Sequence, residues 1–493
     1  MTNPASIIYT STSIKVFHTV RPRLLLFPVA PVLITILIAL MFIPWNLNSY
    51  RPEIERTLNQ LLGVTVIIDG DLTLSIRLQP DLRADNIRIR DGKLDVANIG
   101  KLSASFALLP LLQGEFQLHQ LIIDQSDITL SPDNWPLVQR KNMAAPTRPM
   151  FIWKNVPGSR YEISHSTLGF HNKESPWYIA IDDLNLALTT TVPLKTGVVS
   201  TILLNGDLQA QQVRTKLAAF DRLKMHLSYE KDKFTFTDIS TRLFMGEGHG
   251  DFSIDFRQQS PHYQLNFKLQ EMAAALSLNR LAKQGLIEGP LSLYADLHWQ
   301  GTDSKSMLAN LNGVFNLYGE RLVLHRINLD KTINNFNKSQ RFNLVDLGAY
   351  FFIGPMGTIA TKGYSFAKLS SLSTTDSSQI MYLISDWELT NGIAKAADVA
   401  LSTPHNRIAL QGRLDIPNGR YDGIVFALIN KQGCASMSQR ISGAFEAPRI
   451  EQPEMLSVFA APVRDVLETP KKIFTSKSCT PFYTGRLEHP ITR

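Results

Sequence analysis

From Val64 onward the chain alternates. Leu72, Leu74, Ile76 and Leu78 are separated by Thr73, Ser75 and Arg77, and Phe252, Ile254 and Phe256 by Ser253 and Asp255. Leu291, Leu293, Ala295, Leu297 and Trp299 are separated by Ser292, Tyr294, Asp296 and His298, and Leu184–Leu188 and Leu265–Leu269 repeat the scheme. A period of two sends successive side chains to opposite faces of a strand, so each segment predicts a strand with one apolar and one polar face. Several strands carry a glycine in a similar setting, at Gly70, Gly206, Gly250 and Gly412, which predicts bulges or sharp curvature.

Helical spacing is confined to a few places. Ile54, Leu58, Leu61 and Leu62 predict an amphipathic collar helix over 51–62, stopped by Gly63 and lying at a membrane surface. Glu271 to Lys283, with three consecutive alanines, predicts a short helix against the sheet, and Met455 to Phe474 another. Gly246 to Gly250 predicts a tight turn between strands. Residues 131–149 lose the alternation and hold four prolines, which predicts a linker or long loop.

Leu24 to Tyr50 is free of charged side chains. A run of roughly 20 apolar residues suffices for a helix to cross a bilayer, which predicts an uncleaved transmembrane helix over 24–47. Lys15, Arg21 and Arg23 precede it without an acidic residue among 1–23, so the positive-inside rule keeps the N-terminus cytoplasmic and places residues 51–493 across the membrane. The predicted organisation is a leader (1–23), the anchor, the collar, a first β section (64–130), the linker, a main β section (150–450) and a C-terminal helix and tail (451–493).

The 493 residues are 44% hydrophobic and 19% charged, a folded composition. The net charge of +7 leaves about +4 beyond the leader, spread without a basic run, so nucleic-acid binding has no footprint. The two cysteines, Cys434 and Cys479, predict one disulfide in an oxidising compartment; metal ligation is the alternative, with His489 close by in sequence. No nucleophile elbow, zinc-protease or phosphate-loop motif is present. His165 and His171 are expected to be solvated or structural, and Asp69 with Asp71, or Asp182 with Asp183, to sit at strand edges. No cofactor, metal or catalytic residue is expected.

The segments 64–89 and 101–130, the central 227–256, the later 311–330, and the end, Lys431–Cys434, Ile441–Phe445 and Cys479–Gly485, together resemble AsmA-like proteins of Gram-negative bacteria. The likeness covers nearly the whole chain in order, except the linker. It implies an inner-membrane-anchored periplasmic protein, an elongated curved antiparallel β-sheet forming a hydrophobic groove, related to bridge-like lipid transfer proteins. It also implies phospholipid movement toward the outer membrane and support of outer-membrane integrity.

A sheet with one apolar face must bury it against a second sheet, helices or a ligand. On the order of 30 strands at about 4.8 Å each would make a trough of roughly 140 Å. The expected lining is Leu72, Leu74, Ile76, Phe252, Ile254, Leu291, Leu293 and Leu297, holding phospholipid acyl chains with headgroups left in water. The alternatives are two or three ordinary β-sandwich or barrel domains, and, for function, an envelope scaffold assisting outer-membrane protein assembly without lipid. An enzyme acting on envelope polymers is a third reading.

Overall fold

The computed structural model describes residues 43–131, 153–171, 178–191, 203–277, 287–333, 376–455 and 479–490, with Thr35 and short breaks at 77–78, 93, 113–115, 217, 327 and 332. These residues form one open sheet of 23 strands. Its first edge is β1 (Pro44–Asn46), which pairs with β3 (Leu72–Ser75); β3 and β2 (Thr65–Ile68) both pair with β4 (Asp81–Asp91). Strands then follow one another in chain order: β5 (Leu94–Phe106), β6 (Phe116–Leu130), β7 (Trp153–His171), β8 (Tyr178–Thr191), β9 (Leu203–Thr215), β10 (Ala219–Glu230), β11 (Lys233–Leu243), β12 (Gly246–Asp255) and β13 (His262–Ala273). Beyond them lie β14 (Ile287–Glu288), β15 (Pro290–Gln300), β16 (Asn312–Leu324), β17 (Ser378–Thr390), β18 (Ile393–Ser402), β19 (Arg407–Asp415), β20 (Arg420–Ile429) and β21 (Ala435–Ala444), with β22 (Pro448–Ile450) and β23 (Glu454–Met455) on the last edge. The first and last strands do not pair, so the described sheet is not a barrel.

One pairing departs from the antiparallel expectation: β6 and β7 are parallel. Leu130 ends at one end of the sheet and Trp153 starts at the other. Crossing a 15-residue strand takes about 15 extended residues, and the intervening 131–152 suffice. The linker expected at 131–149, the helix expected over Met455–Phe474 beyond Met455, and Lys15, Arg21 and Arg23 fall outside the described residues.

Among the described residues the sheet has 23 strands, and they run as long as 19 residues. Most of the anchor expected over 24–47 lies outside the described residues, but its end is corrected: Pro44–Asn46 is strand β1. Proline has no N–H for a helix and pushes its predecessor to extended backbone. Among the described residues no helix is long and apolar enough to cross a membrane.

Helix α1 spans Arg51–Leu62 and closes at Gly63, left-handed at φ 67°. Its apolar side faces the sheet: Ile54 and Leu58 pack with Val66, Ile68, Leu72 and Ala84. Its polar side chains cap the edge strand as well. Asn59 Oδ1 accepts from Val66 N (2.6 Å) and Glu55 Oε1 from Ile68 N (2.7 Å), so the donors that β2 would leave unpaired are satisfied. Two short helices follow, α2 (Leu108–Leu112) and α3 (Ser304–Ala309), the latter with a capping box from Asp303.

Two local expectations shift. Glu271–Ala273 continues β13, because Glu271 adopts φ 53° as a bulge and the strand resumes at Met272 opposite Leu291; 274–277 form a helical turn, and 278–283 lie outside the described residues. The 246–250 glycines lie within β12; the turn is Phe244–Met245, both at positive φ. Gly248 leaves the space that the Phe267 ring fills.

Bulges recur across the sheet. Asn86, Gln125, His165, Asp183, Arg222, Asp238, Glu271 and Arg321 all have φ between 49° and 55° or, for His165, 45°. All eight are exposed. A left-handed residue adds twist and bends its strand, so this line across many strands creases the sheet. The glycines act differently: at Gly206 a Cβ would run into the Ala187 carbonyl, and at Gly412 (φ 122°) into that of Gly423.

Candidate functional site

Directly paired residues in neighbouring strands project to the same face, so the register can be followed across the sheet. Starting at Trp45 in β1, it passes through Leu74, Leu82, Ala104, Leu121, Tyr161, Leu188 and Gly206. It continues through Leu227, Phe236, Phe252, Leu265, Leu297 and Gly313. Leu389, Ala394, Leu414, Tyr421, Gly443 and Pro448 complete it. Twenty strands contribute one residue each, and none is charged. At about 4.8 Å per strand the row is roughly 90 Å long along the sheet, shorter than the 140 Å expected.

A second row two residues away is as apolar from Leu72 to Met225, through Ala84, Leu102, Ile123, Ile163, Leu186 and Leu208. One residue away, on the opposite face, the register reads Arg83, Ser103, Ile122, Glu162, Ala187, Asp207 and His226. The contrast between faces holds because the bulges are shared by neighbouring strands, so a slip in one is matched in the next.

Burial divides the row into three stretches. Over β3 and β4 its members Leu74 and Leu82 are half-buried, and α1 covers the second row beside them, where Leu72 is 1% exposed. From Leu121 to Leu297 every side chain of the row is half-buried, leaving an apolar floor about nine strands wide, roughly 40 Å, in contact with solvent. From Leu389 to Tyr421 it is buried, inside a core that includes Leu291, Leu317, Ile380, Trp387, Leu410 and Phe426. Aromatic rings pave the open stretch: Phe236 stacks on Phe252 (5.9 Å between centroids), Phe252 on Trp299 (6.3 Å) and Trp299 on Tyr263 (5.4 Å).

The structure brings seven of the eight expected lining residues onto this face. Leu74, Phe252 and Leu297 belong to the row itself, and Ile254 and Leu293 lie beside it, all half-buried. Leu72 and Leu291 share the face but sit in closed core, at 1% and 0% exposure. Ile76 lies beyond the end of β3. Tyr161, Phe236 and Leu265 were not singled out from the sequence, although their alternation was the available signal.

The titratable groups singled out from the sequence have other partners. His165 Nδ1 lies 3.0 Å from Asp124 Oδ1, which raises the imidazole pKa above its ordinary value and lowers that of the carboxyl. Asp69 accepts from Arg88 (2.9 Å), Asp71 from Asn48 (3.1 Å), and Asp182 pairs with Arg214 (3.0 Å). Among the described residues no three His, Cys, Asp or Glu side chains gather where they could hold a metal ion.

At the far end, Cys434 and Cys479 are bonded, with Cα atoms 6.2 Å apart, within the usual disulfide range. They tie residues 479–490 to the polar-side face of β17–β20, where Tyr483 and Leu487 cover Ile384, Ala400, Ala409 and Ala427. Arg407 donates to Leu487 O (2.6 Å) and lies 5.2 Å from the Tyr483 ring centroid.

No protein family, curated protein or solved structure matches this chain.

Proposed function

We propose that this is a non-enzymatic lipid-handling protein of the cell envelope, anchored in the inner membrane, whose apolar row receives phospholipid acyl chains and passes them toward the outer membrane. One observation carries the reading: an uncharged row crosses twenty strands, and its middle nine-strand stretch is left half-exposed. Such a floor in water costs about 25 cal/mol for each Å² that a ligand could cover, so an extended apolar occupant is favoured. Headgroups stay in solvent, because burying their charge without partners is prohibitive. The sequence resemblance to AsmA-like proteins supports the compartment and the cargo. The disulfide-bonded tail suits an oxidising periplasm.

The test is photocrosslinking in cells with benzoylphenylalanine placed in the full chain. Substitution at Phe252 or Leu297 is expected to capture phospholipid, and at Asp251 or Asp296, one residue away on the polar face, to capture none. Protein adducts without lipid at Phe252 and Leu297 would replace lipid handling with an envelope assembly scaffold.

A further inference from the structure

The end of the sheet where the chain enters β1 carries exposed apolar side chains beyond those of the row, whose first member there is Trp45. The chain enters β1 from the uncharged stretch 24–43, and register places Pro44 beside Ser75, Asp81, Ser105 and Gln120 in turn. All of these sit at the same end of the first strands. Helix α2 follows at that end, separated from Phe106 by Ala107 alone, with the sequence Leu-Leu-Pro-Leu-Leu. Residues 103–114 contain no charge.

Three large apolar side chains lie open here: Leu109 at 74%, Ile43 at 53% and Trp45 at 51% exposure. Leu109 is held in place by backbone bonds on both sides of α2. Ala107 N donates to Gln117 O (2.9 Å), Phe106 N to Pro80 O (2.9 Å) and Leu111 N to Ala107 O (3.2 Å). An apolar knob at the same end of the sheet as Ile43 and Trp45, three strands away from them, fits the bilayer interface, where Trp and Leu side chains are favoured.

We infer that α2 dips into the outer surface of the same bilayer that holds the chain, with Leu109 as its wedge and Trp45 as a second apolar contact three strands away. The inference rests on the anchor being membrane-spanning and adds a second contact, which sets the tilt of the sheet and brings the start of the apolar row to the lipid surface. The occupant is a phospholipid bilayer rather than a protein, because the patch continues directly from a stretch with the composition of a membrane span.

The experiment labels the full chain with an environment-sensitive nitrobenzoxadiazole dye at Leu109→Cys, and in a second variant at Leu94→Cys, an exposed residue (51%) at the opposite end of β5. The native cysteines are bonded to each other and do not react. Both substitutions replace exposed side chains, so the core is untouched. In vesicles of phosphatidylethanolamine and phosphatidylglycerol, the Leu109 dye is expected to brighten several-fold, shift to the blue and be quenched by spin-labelled lipid, while the Leu94 dye stays water-like. A chain that floats with vesicles while its Leu109 dye remains water-like overturns the wedge and leaves the anchor standing. A chain that does not float overturns both. A blue-shifted dye that lipid quenchers do not reach assigns the patch to protein contact and also overturns the wedge.

Discussion

Tyr483 donates its hydroxyl to Asp398 at 2.6 Å, fixing the C-terminal tail to the face of the sheet opposite the apolar row. The same oxygen accepts from Leu487 N (3.1 Å), and Arg486 reaches both Asp398 (3.1 Å) and Asp386. Burial and the neighbouring carboxylate push the Tyr483 phenol well above its ordinary pKa, so it remains a donor at any physiological pH. Tyr483→Phe leaves the Leu487 N–H without its acceptor and is expected to cost about 1–3 kcal/mol, read as a lowered denaturant midpoint.

The disulfide acts on the same tail. It closes a loop with a sequence separation of 45. In the chain-entropy model its removal by Cys434→Ala with Cys479→Ala costs up to about 4 kcal/mol. The expected readout is a lower melting temperature that reducing agent no longer changes, accompanied by faster proteolysis near Cys479.

Leu291 and Leu297 separate core from floor. Leu291 is fully buried, so Leu291→Asp places an unpaired charge in the core, at a cost of about 3–5 kcal/mol, and should unfold this part of the sheet. Leu297 is half-buried at the margin of that core, and Leu297→Asp should keep the circular dichroism spectrum and cooperative melt while removing lipid from the purified protein. Equal unfolding by both variants would mean that the open stretch is ordinary core.

His165 and Asp124 give a pH signature. The imidazole is raised above 6.5, so its contribution is fully present below that value and is lost as pH rises through the higher folded pKa. The carboxyl is lowered below 3.8, so its contribution is present above that value and is lost as pH falls through the folded pKa. The pair therefore favours the fold most between about pH 4 and 6.5. With His165 69% exposed, the effect on stability is small, and nuclear magnetic resonance titration is the measurement. Asp124→Asn is expected to bring the His165 pKa down.

Much of the sheet was legible. Leu265, Phe267 and Leu269 alternate as plainly in the sequence as in β13, and two cysteines in one chain have one obvious pairing. The register was not legible, because it depends on bulges at residues such as Gln125, Arg222 and Glu271, which have no special preference for positive φ. Nor could alternation separate Leu291 from Leu297, whose exposures differ because the later strands close over their own apolar face. Helix α2 carried a signal that alternation hides: four leucines around Pro110 with no polar residue between them.

Because almost every strand pairs with its predecessor, the sheet can assemble in the order in which the chain emerges. Each hairpin needs only the strand before it, so contacts are short-range in sequence and the growing edge is the newest strand. The parallel pair asks for more. When β6 is complete, the next partner must be brought from the other end of the sheet across residues 131–152, and until then the edge of β6 stays unpaired. The sheet is therefore expected to pause as it grows, once at the crossing from β6 to β7 and again at β16, whose partner β17 begins only at Ser378.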